Sequence, residues 1–164
     1  MSKFPFPTAD DNHLPLTRAT QADIHPISNL LALYADKGLL LPLTDEQVLA
    51  NIGSFAVARS DADNVIACAA LKNFGGGLYE IRSLAVHPDW TGHRIGSSLV
   101  QFLLDNSDIP ERSRIFALTY RVSFFLKLGF SPVEKTMFPQ KIWHDCENCP
   151  KKDHCDEQAV MIIR

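Results

Sequence analysis

The run from Leu78 to Val100 constrains this chain more than any other segment. Leu78–Val86 is apolar enough to be a strand, and Pro88 stops it. A short polar loop carrying Gly92 and Gly96 follows, and a helix is expected from about Ile95 to Leu104. The first backbone N–H groups of a helix have no partner within it, and the helix dipole adds partial positive charge at that end. A loop-to-helix junction of this kind binds a phosphate or pyrophosphate without a dedicated cation. Glu80 lies upstream on the same strand, where a carboxylate can serve whatever chemistry the anchored ligand brings.

The rest of the chain reads as one globular domain. Its 164 residues suffice for a sizeable core, with 46% hydrophobic and 21% charged residues. A formal net charge of −3 gives no electrostatic reason to expect nucleic acid or an anionic membrane as partner. No apolar run reaches the roughly 20 residues that span a bilayer, and the N-terminus lacks a signal-peptide core. Residues 1–13 read as a loose tail, and 14–164 as the domain. Strands are expected over 14–20, 55–60, 65–73, 78–86, 114–120, 131–136 and 158–163. Helices are expected over 22–37, from Thr44 through Ile52, over 95–104 and over 122–128. Thr44 and Gln47 form a capping box, Gly129 closes the last helix, and Pro26 blurs the start of the first. The order β-α-α-β-β-β-α-β-α-β-β implies a mixed α/β sheet with helices on both faces.

This order, with a strand ending in Val86-His-Pro88 and the loop Thr91-Gly-His-Arg-Ile-Gly96, resembles the GCN5-related N-acetyltransferase (GNAT) superfamily. There an Arg/Gln-x-x-Gly-x-Gly/Ala loop holds the pyrophosphate of acetyl-CoA. Two positions depart: Thr91 replaces the leading Arg/Gln, and Arg94 the middle glycine. Further segments recur in order: Arg18-Ala-Thr with Asp23-Ile24, Ala35 to Leu40, Cys68 to Leu71, Glu80 with Ala85 to Asp89, and Leu118 to Arg121 before Phe124-Phe125 and Gly129-Phe130. Together these resemble the acetyltransferase domain of bacterial N-acetylglutamate synthases, and the cysteine-bearing tail resembles their short form.

The resemblance implies a single GNAT-like domain with a mostly antiparallel central sheet and acetyl-CoA as cosubstrate. It implies transfer of the acetyl group to the α-amino group of an amino acid, L-glutamate, at the entry to arginine biosynthesis. Leu84, Ala85 and Val86 would pair with the pantetheine arm, with an N–H there stabilising developing oxyanion charge. Thr91, Gly92, His93, Arg94, Ile95, Gly96 and Ser97 would hold the phosphates. Glu80 would be the general base, taking a proton from the ammonium of the acceptor. Arg18, Arg82 and Arg121 would face the carboxylates of an acidic acceptor, because guanidinium groups bind carboxylates in a bidentate fork. Arg82 stands two residues from Glu80 and so on the same strand face. Phe125 replaces the tyrosine that many superfamily members use as general acid, a loss shared by the synthase branch. Leu43 stands where that branch runs on to an arginine, which leaves open another small amine, a protein N-terminus, or a non-catalytic acetyl-CoA sensor.

Four cysteines, at 68, 146, 149 and 155, do not make a secreted disulfide scaffold, which implies reduced thiols and a cytoplasmic location. Cys68 sits in an apolar strand and reads as a buried, inert thiol. Cys146, Cys149 and Cys155, in a loop at 144–157, have spacing that suits a structural zinc, with His144, His154, Asp145 or Asp156 as fourth ligand. A metal-free reduced loop and an iron–sulfur cluster are the alternatives. No assembly is specified, and a homodimer stays open.

Overall fold

The computed structural model describes residues 14–135 and 157–164, and its elements follow the expected order. They are β1 (Leu16–Arg18), α1 (Ile24–Ala35), α2 (Asp45–Ala50), β2 (Phe55–Arg59), β3 (Val65–Gly75), β4 (Leu78–Val86), α3 (Ile95–Asp105), β5 (Arg114–Thr119), α4 (Val122–Leu126), β6 (Ser131–Val133) and β7 (Gln158–Ile163). Residues 1–13 and the cysteines Cys146, Cys149 and Cys155 lie outside the described residues. Hydrogen bonding orders the strands β1-β2-β3-β4-β5-β7-β6. β1 pairs antiparallel with β2, β2 with β3, and β7 with both β5 and β6, while β4 runs parallel to β5.

Local chemistry explains several boundaries. Pro26 occupies the first turn of α1, where its missing N–H would have had no helical partner. A 3-10 turn over Gln21–Asp23 precedes that helix, so α1 starts at Ile24 rather than Ala22. At α2 the capping box closes in both directions: Gln47 N–H donates to Thr44 Oγ1 at 3.1 Å, and Thr44 N–H to Gln47 Oε1 at 2.9 Å. That helix ends at Ala50, and Ile52 falls in a separate 3-10 turn.

Contacts divide the chain into two compact units, and the division crosses β3 and β4. The first comprises the described residues up to Leu71 together with Ser83–Asp108. Its core joins Ile27, Leu30 and Leu31 of α1 and Val48 of α2 to Phe55, Val57, Cys68, Ala70 and Ala85 of the strands. Alternation along β2 turns Ala56 and Ala58, both fully buried, to the opposite face. Helix α3 packs on β2 and buries Leu99, Val100 and Leu103. Within this unit, then, helices cover both faces, as expected. Alanines on the α3 side let a leucine-rich helix approach the sheet closely, each buried leucine contributing about 1.5–3 kcal/mol.

The second unit comprises Lys72–Arg82 and the described residues from Ile109 onward. Here β7 lies between β5 and β6 and pairs antiparallel with each. Leu78, Phe116 and Ala159 form its centre, with Phe74, Leu118, Val133 and Met161 packed around them. Helix α4 ends at Leu126 with Lys127 as its C-cap, shorter than expected. Gly129 (φ +96°) lies in the turn that follows, where an added Cβ would stand 3.3 Å from Ile162 Cδ1. A side chain there would meet both backbone strain and crowding.

Candidate active site

In the first unit the C-terminal half of β4 carries an irregularity. Ser83 has φ +54° inside the strand, a conformation that costs a non-glycine residue about 1–2 kcal/mol. Such a kink re-aims the backbone of a strand and is found beside binding sites more often than elsewhere. The strand end is anchored at the kink and beyond it. The Cys68 thiol donates to the Ser83 carbonyl at 3.4 Å, and the Tyr34 hydroxyl of α1 donates to the Val86 carbonyl. Just beyond, His87 N–H donates to the Ile66 carbonyl at 2.7 Å.

The loop that follows is built to present backbone. Pro88 opens a 3-10 turn over Pro88–Trp90, with His87 Nδ1 accepting from Asp89 N–H at 3.1 Å. Gly92 (φ +85°) and Arg94 (φ +61°) are both left-handed. Arg94 therefore takes up a conformation that favours glycine, at the cost of strain. It is also the N-cap of α3, and no side chain caps that end or places an acidic group in the first turn. Ser98 N–H bonds the Arg94 carbonyl at 3.0 Å, so the N–H groups of Ile95, Gly96 and Ser97 precede the helical ladder. Exposed His93 and Arg94 and the dipole of an 11-residue helix make the junction favourable for anionic phosphates. A cleft of about 580 Å³ opens beside it, bordered by Ser60, Asp61, Asn64, Val65, His87 and Trp90.

Gly92→Ala tests this loop. An added Cβ meets nothing within 4 Å, so backbone strain is the whole effect. The expected cost is about 1–2 kcal/mol, read as a lower melting temperature together with weaker CoA binding in calorimetry. Unchanged CoA affinity would remove Gly92 from the binding loop.

The second unit holds the expected base. Glu80 is 7% exposed, and it is opposite Phe116 where the parallel register of β4 with β5 ends. Arg82 donates to Glu80 Oε1 from Nε at 2.8 Å and from a terminal guanidine nitrogen as well. The Arg82 guanidinium also lies 5.7 Å from the Phe74 ring centroid, and Phe74 stacks on Phe116 at 6.0 Å. Arg121 caps α4, and its N–H donates to Thr119 Oγ1 at 2.7 Å. Its side chain is exposed and has no partner among the described residues. Phe125, 4% exposed, packs edge-on against Phe124 and Phe130, with ring centroids 5.0 and 5.1 Å away.

Other residues singled out from the sequence are engaged within the fold. Arg18 donates to the Asn106 carbonyl at 2.6 Å and to Ser107 Oγ at 2.9 Å. Its charge therefore sits at the C-terminal end of α3, the end opposite the phosphate loop, where the helix dipole favours a cation. Cys68 is fully buried, and burial pushes its thiol up to about 12. A thiol so hard to ionise is no nucleophile. Among the described residues no group of three or more His, Cys, Asp or Glu side chains could hold a metal, and the zinc expectation lies outside them.

Sequence reasoning missed one prominent ion pair. Asp23, 2% exposed, accepts both arms of Arg59, at 2.8 and 2.7 Å, and Thr20 N–H at 2.8 Å. The sequence offers Thr20 and Asp23 at capping-box spacing just ahead of α1, with no indication of which arginine would answer the carboxylate.

Known proteins with this arrangement are numerous. The model of the acetyltransferase (GNAT) domain matches residues 51–132, which is 82 of the 164 residues. An uncharacterised N-acetyltransferase of Chlorobaculum tepidum is 38% identical over 87% of this chain and 92% of its own length. The chain belongs to the GNAT acetyltransferase family. As expected for the family, it is an acetyl-CoA-dependent N-acetyltransferase. An amino-acid acetyltransferase of Mycobacterium tuberculosis is 32% identical over 78% of this chain and 74% of its own length. The N-acetylglutamate synthase of Neisseria gonorrhoeae, solved with coenzyme A and N-acetyl-glutamate, superposes with a TM-score of 0.80 at 25% identity. That match covers 92% of this chain and 35% of the synthase. Among the described residues no helix of this GNAT protein is long and apolar enough to cross a membrane.

Proposed function

We propose that this GNAT protein acetylates the α-amino group of L-glutamate, the reaction that opens arginine biosynthesis, with Glu80 as general base. The observation that carries the reading is the Glu80–Arg82 pair: one buried carboxylate to take a proton and one guanidinium beside it to take a carboxylate. Arg121, exposed and without a partner among the described residues, supplies a second cation in the same unit. An acceptor with two carboxylates suits two arginines. The likeness to a synthase solved with N-acetyl-glutamate points the same way.

Bound acetyl-CoA supplies the acyl group as a reactive thioester. The residues of the loop fit it: Gly92 and Arg94 shape the approach, and the N–H groups of Ile95, Gly96 and Ser97 with His93 and Arg94 meet the phosphates, beside Thr91. Leu84, Ala85 and Val86 hold the pantetheine arm through their backbone. Glu80 accepts the proton that the ammonium must lose before its nitrogen can attack. No covalent enzyme intermediate is needed, and the buried, un-ionised Cys68 offers none.

A second reading keeps the same chemistry with a smaller acidic or neutral acceptor. Arg18 is engaged at the end of α3, and Leu43 stands where the synthase branch carries an arginine. Thiol release from acetyl-CoA against the twenty amino acids and polyamines separates the two readings. A preference for glutamate supports the first. The best activity on a neutral or cationic amine discards it while keeping the acyl transfer. Arg121→Glu is expected to raise the KM for glutamate about tenfold or more, with the KM for acetyl-CoA unchanged. Equal losses for acidic and neutral acceptors would take Arg121 out of carboxylate recognition.

A further inference from the structure

We infer that Cys68 is a positioning residue for the acetyl-CoA strand, its thiol pinning the left-handed kink of β4. In a regular strand a carbonyl points sideways into the ladder, out of reach of a neighbouring strand's side chain. At Ser83 the positive φ turns the chain, and its carbonyl meets the Cys68 sulfur at 3.4 Å. The thiol thus donates to the backbone directly before Leu84. The apolar residues that would otherwise fill this buried site have no donor to offer that carbonyl.

The surroundings hold the sulfur in place. Cys68 is fully buried in the cluster that includes Ile27, Leu31, Val57 and Ala85, and Val57 is its register partner on β2. Because burial keeps the thiol protonated across the working pH range, the S–H donor is always present. The kink directly precedes Leu84, Ala85 and Val86. Its conformation therefore sets the direction in which their backbone groups are offered to a ligand. The inference rests on the reading that these three residues hold the pantetheine arm.

The test measures CoA affinity by titration calorimetry and amide exchange along β4. Cys68→Val keeps the apolar volume and removes the bond to the Ser83 carbonyl, and it is expected to weaken CoA binding about five- to tenfold. Cys68→Ser retains a donor and an acceptor and is expected to bind within about twofold of the wild type. Val57→Ala perturbs the same core and is expected to lower the melting temperature with CoA affinity within about twofold. CoA should slow exchange at Leu84–Val86 in the wild type. Wild-type affinity in Cys68→Val would overturn the inference, as would an equal loss in Val57→Ala or no recovery in Cys68→Ser. No protection of Leu84–Val86 by CoA would overturn it together with the pantetheine reading. Protection in the wild type with unaltered affinity in Cys68→Val would overturn it alone.

Discussion

Glu80→Gln is expected to lower kcat about 10²- to 10⁴-fold while leaving CoA affinity within a factor of two. Glutamine keeps the shape and a hydrogen-bond acceptor for Arg82, so the guanidinium loses an ionic partner but not every bond. What disappears is a group able to take the ammonium proton. The loss should therefore shrink as pH rises toward the amine's own pKa, because the solution then supplies a nucleophile that is already neutral. That convergence separates a missing base from a misfolded site, which higher pH would not repair. Steady-state kinetics on the preferred acceptor across a pH series measures it. A kcat within threefold of the wild type at neutral pH would remove Glu80 from catalysis. Arg82 makes a companion case: Arg82→Met leaves the carboxylate in place without its guanidinium and should raise the acceptor's KM more than it lowers kcat.

How much of this was legible depended on whether the deciding contact was local. The Thr44–Gln47 capping box, the tolerance of Pro26 in the first turn of α1 and the left-handed turn at Gly129 beyond α4 each rest on a few neighbouring residues and were readable from them, although α4 itself stops earlier, at Leu126. That Glu80 and Arg82 share a strand face was legible for the same reason, since a strand repeats every two residues, but their bond to each other was not. Arg94 shows a partial failure. The missing glycine suggested an altered loop, yet the backbone adopts the left-handed conformation regardless, because the turn before α3 outweighs a cost of about 1–2 kcal/mol. Ser83 gave no signal at all, for nothing in Arg82-Ser-Leu84 distinguishes a kinked strand from a straight one. Arg18 was placed with the substrate because its type suits a carboxylate, but its bonds reach Asn106 and Ser107, far along the chain. Periodicity locates faces; it does not say which distant group a charged side chain will find.

Asp23→Ala is expected to cost about 3–5 kcal/mol, the usual penalty for stranding one member of a buried ion pair. For a chain of this size that corresponds to a fall in melting temperature of about 6–20 °C. Burial by itself pushes the Asp23 carboxyl up. The Arg59 fork and the Thr20 N–H outweigh it, and the group is held below the usual carboxylate range. Arg59 is shifted in the matching direction, upward, chiefly by the same bond. The sign of the pH effect follows. A carboxyl with a lower pKa folded than unfolded contributes stability above its unfolded value of about 3.9, and loses it as pH falls through the folded value. Wild-type stability should therefore drop below about pH 4, and Asp23→Asn should flatten that part of the curve. Replacing both partners with apolar residues of similar volume, Asp23→Leu with Arg59→Met, is expected to recover most of the loss, because neither charge is then stranded. If the double variant is no better than Asp23→Ala, the Thr20 cap rather than the Arg59 pair carries the stability. Thr20 N–H would then be the group whose lost partner destabilises the entry to α1, a donor that leucine cannot satisfy.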